Sequence, residues 1–285
     1  MHRLSANLMS YLRGMISSMI PLLPAITKTR HDDLSPFVNQ IFCMDALDLL
    51  ATLPDASVDL IVTDPPYGIG YESSWTTRIS DGKPRNTLMS FGHDVLDTRW
   101  IADAARVLKE GGALYCFTRW DVLHHWQQAI NATDLHVVTR IVWYKAQFKM
   151  GDLRYYAPQT EDILFARKGT HRLRWHKREG NVWYSADALY LDGYYGHPTQ
   201  KPEVILRRAI EYSSDPDDVV LDPFAGSGST CAAAFKSARQ YIGGDINPVF
   251  VNIARERVQN SDPYQDTELA NGQKQLSLFT EGQSA

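Results

Sequence analysis

The sequence predicts an α/β fold, a doubly wound parallel sheet, on two observations. Strand-like apolar runs alternate with helix-like periods through most of the 285 residues. Four of those runs also end on a carboxylate, at Asp45, Asp64, Asp222 and Asp245, which sets acids along the edge where open sheets of this kind bind ligands.

Residues 1–38 read as an amino-terminal extension, with Met15 and Met19 as alternative starts. Its apolar stretch from Met15 to Ile26 is broken by Pro21 and Pro24 and is shorter than the roughly 20 residues of a membrane span. It also lacks a convincing signal-peptide cleavage pattern. Gln40 to Asp45 is a short strand, followed by an amphipathic helix carrying Leu47, Leu49, Leu50 and Leu53. Val58 to Thr63 is a buried strand that stops abruptly at Asp64-Pro65-Pro66-Tyr67-Gly68.

Ile69 to Asp97 is polar, aperiodic and rich in Ser, Thr and Gly, and is expected as a long loop with a functional or mobile role. Trp100 to Glu110 has helical spacing and meets a stop signal at Gly111-Gly112 before a strand from Ala113 to Thr118. A helix over Asp121 to Asn131 and strands over His136 to Lys145 and Asp162 to Ala166 follow, then a helix from Glu203 to Ser213. Val219 to Asp222 is a strand leading through the turn Pro223-Phe224-Ala225-Gly226-Ser227-Gly228 into a helix, and Tyr241 to Asp245 is a further strand. Residues 259–285 turn polar and read as a flexible tail.

Composition, at 44% hydrophobic and 22% charged, is that of an ordinary globular protein. Cys43, Cys116 and Cys231 stand far apart with no CxxC pair, which excludes a disulfide framework or zinc site and suits a reducing cytosol. The net charge of −4 hides a local field. Between Thr139 and Arg178 ten basic residues face three acids, the footprint of a phosphate-binding surface.

The glycine turn after Asp222 lets backbone approach a bound nucleoside, and Asp245 at the next strand end can accept ribose hydroxyls. Asp64-Pro65-Pro66-Tyr67 narrows the chemistry. An exocyclic amine on a nucleobase is a poor nucleophile, and a carboxylate with a main-chain carbonyl can accept its two N–H bonds and stabilise the developing positive charge. Proline stiffens the loop, and Tyr67 offers a ring on which an extruded base can stack.

These two segments together closely resemble the S-adenosylmethionine-dependent amino-group DNA methyltransferases, which act on N6 of adenine or N4 of cytosine. Because Asp64-Pro65-Pro66-Tyr67 comes first and Phe224-Ala225-Gly226-Ser227-Gly228 comes last, the order resembles that of the permuted beta group. His197-Pro198-Thr199-Gln200-Lys201-Pro202 and Ala105-Arg106-Val107-Leu108-Lys109-Glu110-Gly111-Gly112 also resemble motifs of that group, and the likeness spans about residues 39–258.

The resemblance implies a Rossmann-like methyltransferase sheet, mostly parallel with one antiparallel strand, with permuted motif order and an inserted recognition region. It implies catalysis by Asp64, Pro65, Pro66 and Tyr67, with no metal. It implies binding of S-adenosyl-L-methionine by Asp45, Thr199, Lys201, Asp222, Phe224, Gly226, Ser227, Gly228 and Asp245, Thr199 and Lys201 lying near the cofactor carboxylate. Many relatives carry Glu where this chain has Asp245. Asp at the first catalytic position leans towards adenine N6. An N4-cytosine enzyme is the nearest alternative, ahead of an RNA methyltransferase and a catalytically silent DNA-binding protein.

Residues 149–195 are the candidate target-recognition region, with Lys149, Arg154, Arg167, Lys168, Arg172, Arg174, Lys177 and Arg178 as candidate contacts to double-stranded DNA. For Trp175, Trp183 and Tyr194 a core position is the stronger expectation. In the tail, Gln275, Leu276, Leu278 and Phe279 resemble the short peptide by which bacterial replication and repair proteins dock on the sliding clamp; the alternative is a segment packed back on the domain. The expected protein is cytoplasmic, of bacterial, phage or prophage origin, and a monomer or homodimer.

Overall fold

The computed structural model describes residues 30–68, 95–145, 154, 156–174, 178–185 and 200–262, together with the backbone of 72–78 and 84–90. The amino-terminal extension before residue 30, Lys149, Lys177, Thr199 and the clamp-like peptide at 275–279 lie outside the described residues, as do Trp175 and Tyr194.

Eight strands form one sheet in the order β1-β10-β9-β2-β5-β7-β6-β8. They are β1 (Gln40–Cys43), β2 (Val58–Thr63), β5 (Leu108–Thr118), β6 (Leu135–Lys145), β7 (Thr160–Lys168), β8 (Val182–Ser185), β9 (Val219–Asp222) and β10 (Gln240–Asp245). Only β7 runs against its neighbours in that sheet, pairing antiparallel with both β5 and β6. The expected mostly parallel sheet with one antiparallel strand is therefore what forms.

Among the described residues six helices cover it: α1 (Ala46–Thr52), α2 (Trp100–Val107), α3 (Leu123–Asn131), α4 (Glu203–Ser213), α5 (Ser229–Lys236) and α6 (Pro248–Gln259). Leu49, Leu50, Trp100, Ile101, Trp126 and Ile130 of α1 to α3 share one core cluster, whereas α4 to α6 pack through two others. Helices on both faces explain why β2 reads as a mainly apolar run: Val58, Leu60, Ile61 and Val62 are all fully buried, with only Asp59 interrupting them. Side chains also set two of the helix starts. Asp45 accepts from the Leu47 N–H to open α1, and Asn247 accepts from the Val249 N–H to open α6 ahead of Pro248.

Two expectations change. The stretch expected as a loop contains an antiparallel pair, β3 (Glu72–Arg78) and β4 (Pro84–Ser90), separate from the main sheet. Its strands lack the apolar alternation that marks a half-buried sheet. Helix α2 ends at Val107 rather than Glu110, because Leu108 is already extended and pairs with Val58. Gly111, at φ +82°, then belongs to the irregularity between the Val58 and Leu60 pairings, so the two glycines shape a strand and do not stop a helix. Trp183 occupies the core as expected, packed against Tyr115.

Candidate active site

β9 and β2 are parallel neighbours at the middle of the sheet, with Leu60 opposite Val220 and Ile61 opposite Leu221. From β9 the order proceeds to β10 and β1, and from β2 to β5. The two carboxyl ends thus flank a point where the winding reverses, the crevice in which open α/β sheets bind ligands. Thr63 ends β2 and Asp222 ends β9, and the Thr63 hydroxyl donates to Asp222 Oδ1 at 2.8 Å. The Phe224 N–H donates to the same oxygen at 3.1 Å, and the Thr230 hydroxyl also bonds this carboxylate. Burial nevertheless dominates, pushing the Asp222 carboxyl up to about 6 against those bonds, with the Asp64 charge adding to the rise.

The turn after Asp222 depends on its glycines. Gly226 and Gly228 have φ of +51° and +75°, and a Cβ on Gly228 would come 2.7 Å from the Ala254 Cβ. Asp245 closes the turn from the next strand: its Oδ2 accepts from the Gly226 N–H at 3.0 Å and its Oδ1 from the Asn247 N–H at 2.8 Å. Each oxygen keeps a second lone pair for a ligand hydroxyl. Beyond it, Cys43 pairs with Asp245 across β1 and β10, which places the exposed Asp45 next along the edge. The ends of β9, β10 and β1 therefore offer three carboxylates in sequence. That donor set suits a nucleoside carrying positive charge rather than a polyphosphate.

Asp64 leaves β2 into the Pro65-Pro66 turn, with Pro65 buried and Asp64, Pro66 and Tyr67 partly so. The Tyr67 hydroxyl donates to Asp64 Oδ1 and the Lys201 ammonium to Oδ2. Lys201 is buried, and its ammonium also lies 3.4 Å from Glu161 Oε2 and 5.4 Å from the centre of the Phe117 ring. Burial works against its charge, but Asp64 and Glu161 outweigh that and hold the ammonium above its ordinary range. Glu161 accepts a bond from the Lys145 ammonium on its other oxygen. Burial would raise the Glu161 carboxyl, yet Lys201 and then Lys145 hold it below the usual range. The Tyr67 phenol is pushed well above its ordinary value, by burial first and the Asp64 charge second.

The reversed strand explains how Glu161 arrives here. Thr118 at the carboxyl end of β5 pairs with Asp162, and Tyr144 near the end of β6 pairs with Thr160, so β7 begins at the edge where its neighbours finish. Sequence reading passed over Glu161, which belongs to no motif. Its signal was a charged residue beside the apolar run Ile163 to Ala166.

The same reversal moves part of the basic segment away. Arg167 pairs with Ala113 in the middle of β5 and with His136 near the start of β6, away from the carboxyl edge that carries Asp64. Lys168 is held inside the protein: its ammonium donates to the Ala105 and Leu108 carbonyls at 2.6 and 3.0 Å and pairs with Asp134 at 3.1 Å. That placement takes Lys168 out of the expected phosphate-binding set. Arg174 pairs with Asp215, whereas Arg172 and Arg178 are exposed. Arg154 is exposed and precedes β7 in the chain. Among the described residues no group of His, Cys, Asp and Glu could hold a metal ion, and no helix is long and apolar enough to cross a membrane.

Comparison with known proteins gives a consistent picture. A family model described as DNA methylase matches residues 58–256. The chain is 32% identical over 266 residues to the DNA adenine methyltransferase YhdJ of Escherichia coli, covering 81% of this chain and 86% of that protein. Among solved structures, M1.HpyAVI in complex with SAM superposes with a TM-score of 0.59 at 24% identity, covering 77% of this chain and 98% of that one. The cytosine-N4-specific PvuII DNA methyltransferase gives a TM-score of 0.60 at 17% identity, covering 81% and 89%. These two likenesses establish the fold.

Proposed function

The chain belongs to the DNA methylase family, and on that premise we propose that it transfers a methyl group from S-adenosylmethionine to the N6 amine of adenine at a specific short sequence in double-stranded DNA, after the base is flipped out of the duplex. The observation that carries the reading is the position of Asp64-Pro65-Pro66-Tyr67 at the switch point, joined through Thr63 to the Asp222 carboxylate that opens the glycine turn.

The residues present fit the cofactor. Asp245 and Asp45 would take the ribose and the adenine side, and Gly226, Ser227 and Gly228 would let the backbone close on it. Bound there, S-adenosylmethionine supplies a methyl group made electrophilic by its sulfonium charge. Asp64 and the Pro65 carbonyl accept the two hydrogens of the target amine, which turns its lone pair towards the methyl group and disperses the charge that develops on nitrogen. Tyr67 stacks on the flipped base. The duplex approaches the carboxyl edge, and Arg154 and the exposed rings of Trp120 and Tyr156 face solvent.

The likeness to YhdJ, a DNA adenine methyltransferase, supports adenine as the target. Mass spectrometry of nucleosides from DNA methylated in vitro tests the reading. N6-methyladenine is expected from the wild type and none from Asp64→Ala. N4-methylcytosine would move the chain to its nearest alternative, and a protein that binds S-adenosylmethionine and DNA without transfer would be the silent binder.

A further inference from the structure

We infer that Glu161 is a positioning residue of the methyl-transfer site, drawing the Lys201 ammonium away from Asp64 so that this carboxylate keeps its capacity to accept the target amine. The inference rests on the proposed function and extends it to a residue outside every motif.

Asp64 and Lys201 would form a self-sufficient neutral pair. Glu161 adds a second partly buried carboxylate, which needs a countercharge of its own, and Lys145 supplies it. Four charges are thus gathered where two would balance, at the desolvation cost that accompanies every buried ion pair. What the extra pair changes is the distribution of charge around Lys201. An ammonium bonded to Asp64 alone would polarise that carboxylate fully and leave a weaker acceptor for a neutral amine.

Glu161 competes for that ammonium through the oxygen that Lys145 leaves open: its Oε2 lies 3.4 Å from Lys201 Nζ and is hydrogen-bonded to no other group among the described residues. Lys145 holds the other oxygen and stands 5.0 Å from the Trp143 ring, opposite Glu161 on β6. The shared ammonium itself is buried beside the Phe117 ring, where its division between two carboxylates is screened less than it would be in water.

The test is a double-mutant cycle read as single-turnover methyl transfer at saturating S-adenosylmethionine and DNA. Glu161→Gln should slow transfer about tenfold, with cofactor and DNA dissociation constants changed by less than about twofold. In a Lys201→Met background the same change should alter the rate by less than about twofold, because no ammonium remains to be drawn away. Glu161→Asp, which keeps the charge, should hold about a third of the wild-type rate or more. An unchanged rate in Glu161→Gln overturns the inference. So does an equal loss in both backgrounds, a loss that lies wholly in binding, or an Asp variant no faster than the Gln variant. If Glu161→Gln does not fold, the Asp substitution run through the same cycle decides the matter on the same criteria. A wild type that transfers no methyl group fails the proposed function instead, a result separate from all of these.

Discussion

Asp222 ties stability to pH in a direction opposite to most carboxylates. Its carboxyl is moved from 3.8 to about 6 by burial at the end of β9. The folded protein therefore keeps a proton that the unfolded chain releases, and the stabilisation this brings is complete below about pH 4 and lost as pH rises through about 6. At roughly 1.4 kcal/mol per pH unit, the shift is worth about 3 kcal/mol as an upper bound. Asp222→Asn retains an oxygen for the Thr63 hydroxyl and the Phe224 N–H but cannot titrate. Urea unfolding of both proteins at intervals from pH 4 to pH 8 isolates the effect, since other groups cancel in the difference. The variant should gain on the wild type by about 2 to 3 kcal/mol across that range, most of it between pH 4 and pH 6.5. Parallel curves would refute the argument, as would a wild type that gains on the variant with rising pH.

Three further outcomes are expected. Tyr67→Phe removes the bond to Asp64 but keeps the ring, so kcat should fall by less than about fivefold, whereas Tyr67→Ala should cost about tenfold to a hundredfold if the ring carries the flipped base. Lys168→Met should lower stability by about 1 to 2 kcal/mol in thermal or urea unfolding and leave the salt dependence of DNA binding unchanged, because its ammonium serves the end of α2 and Asp134. Gly228→Ala meets both a φ of +75° and the Ala254 Cβ at 2.7 Å; it should cost about 1 to 3 kcal/mol and weaken S-adenosylmethionine binding measured by calorimetry.

The sheet was legible because both of its faces are covered, which makes Leu60 to Val62, Ala113 to Phe117 and Val219 to Leu221 plain apolar runs, and because the carboxylates Asp64 and Asp222 follow two of them next to turn-forming residues. The turn after Asp222 was legible for a similar local reason, its glycines at fixed offsets from the strand end. What escaped was whatever depends on strand direction. No local pattern marks β7 as reversed, yet its reversal brings Glu161 to Asp64 and takes Arg167 and Lys168 away from the carboxyl edge. A lysine that caps α2 from a distant strand reads in sequence as one more basic residue. Lys201 belonged to a recognised motif, but its attachment to Asp64 is set by burial and by a partner 137 positions away. The β3 and β4 pair escaped because its strands carry Ser, Thr and Asn where an apolar alternation would have announced them.

β1 leans on β10, and Asn39 receives the Tyr241 N–H from 202 positions further along the chain. As the polypeptide leaves the ribosome, β1 and α1 emerge early and then wait for most of the protein to be made before their neighbour exists. During that interval the β2 and β5 half can assemble around Asp64, while the half that would receive the methyl donor cannot. Permuted motif order thus imposes a timetable on synthesis: the carboxylate proposed to be catalytic is built early, and the proposed donor site closes only when β10 is delivered.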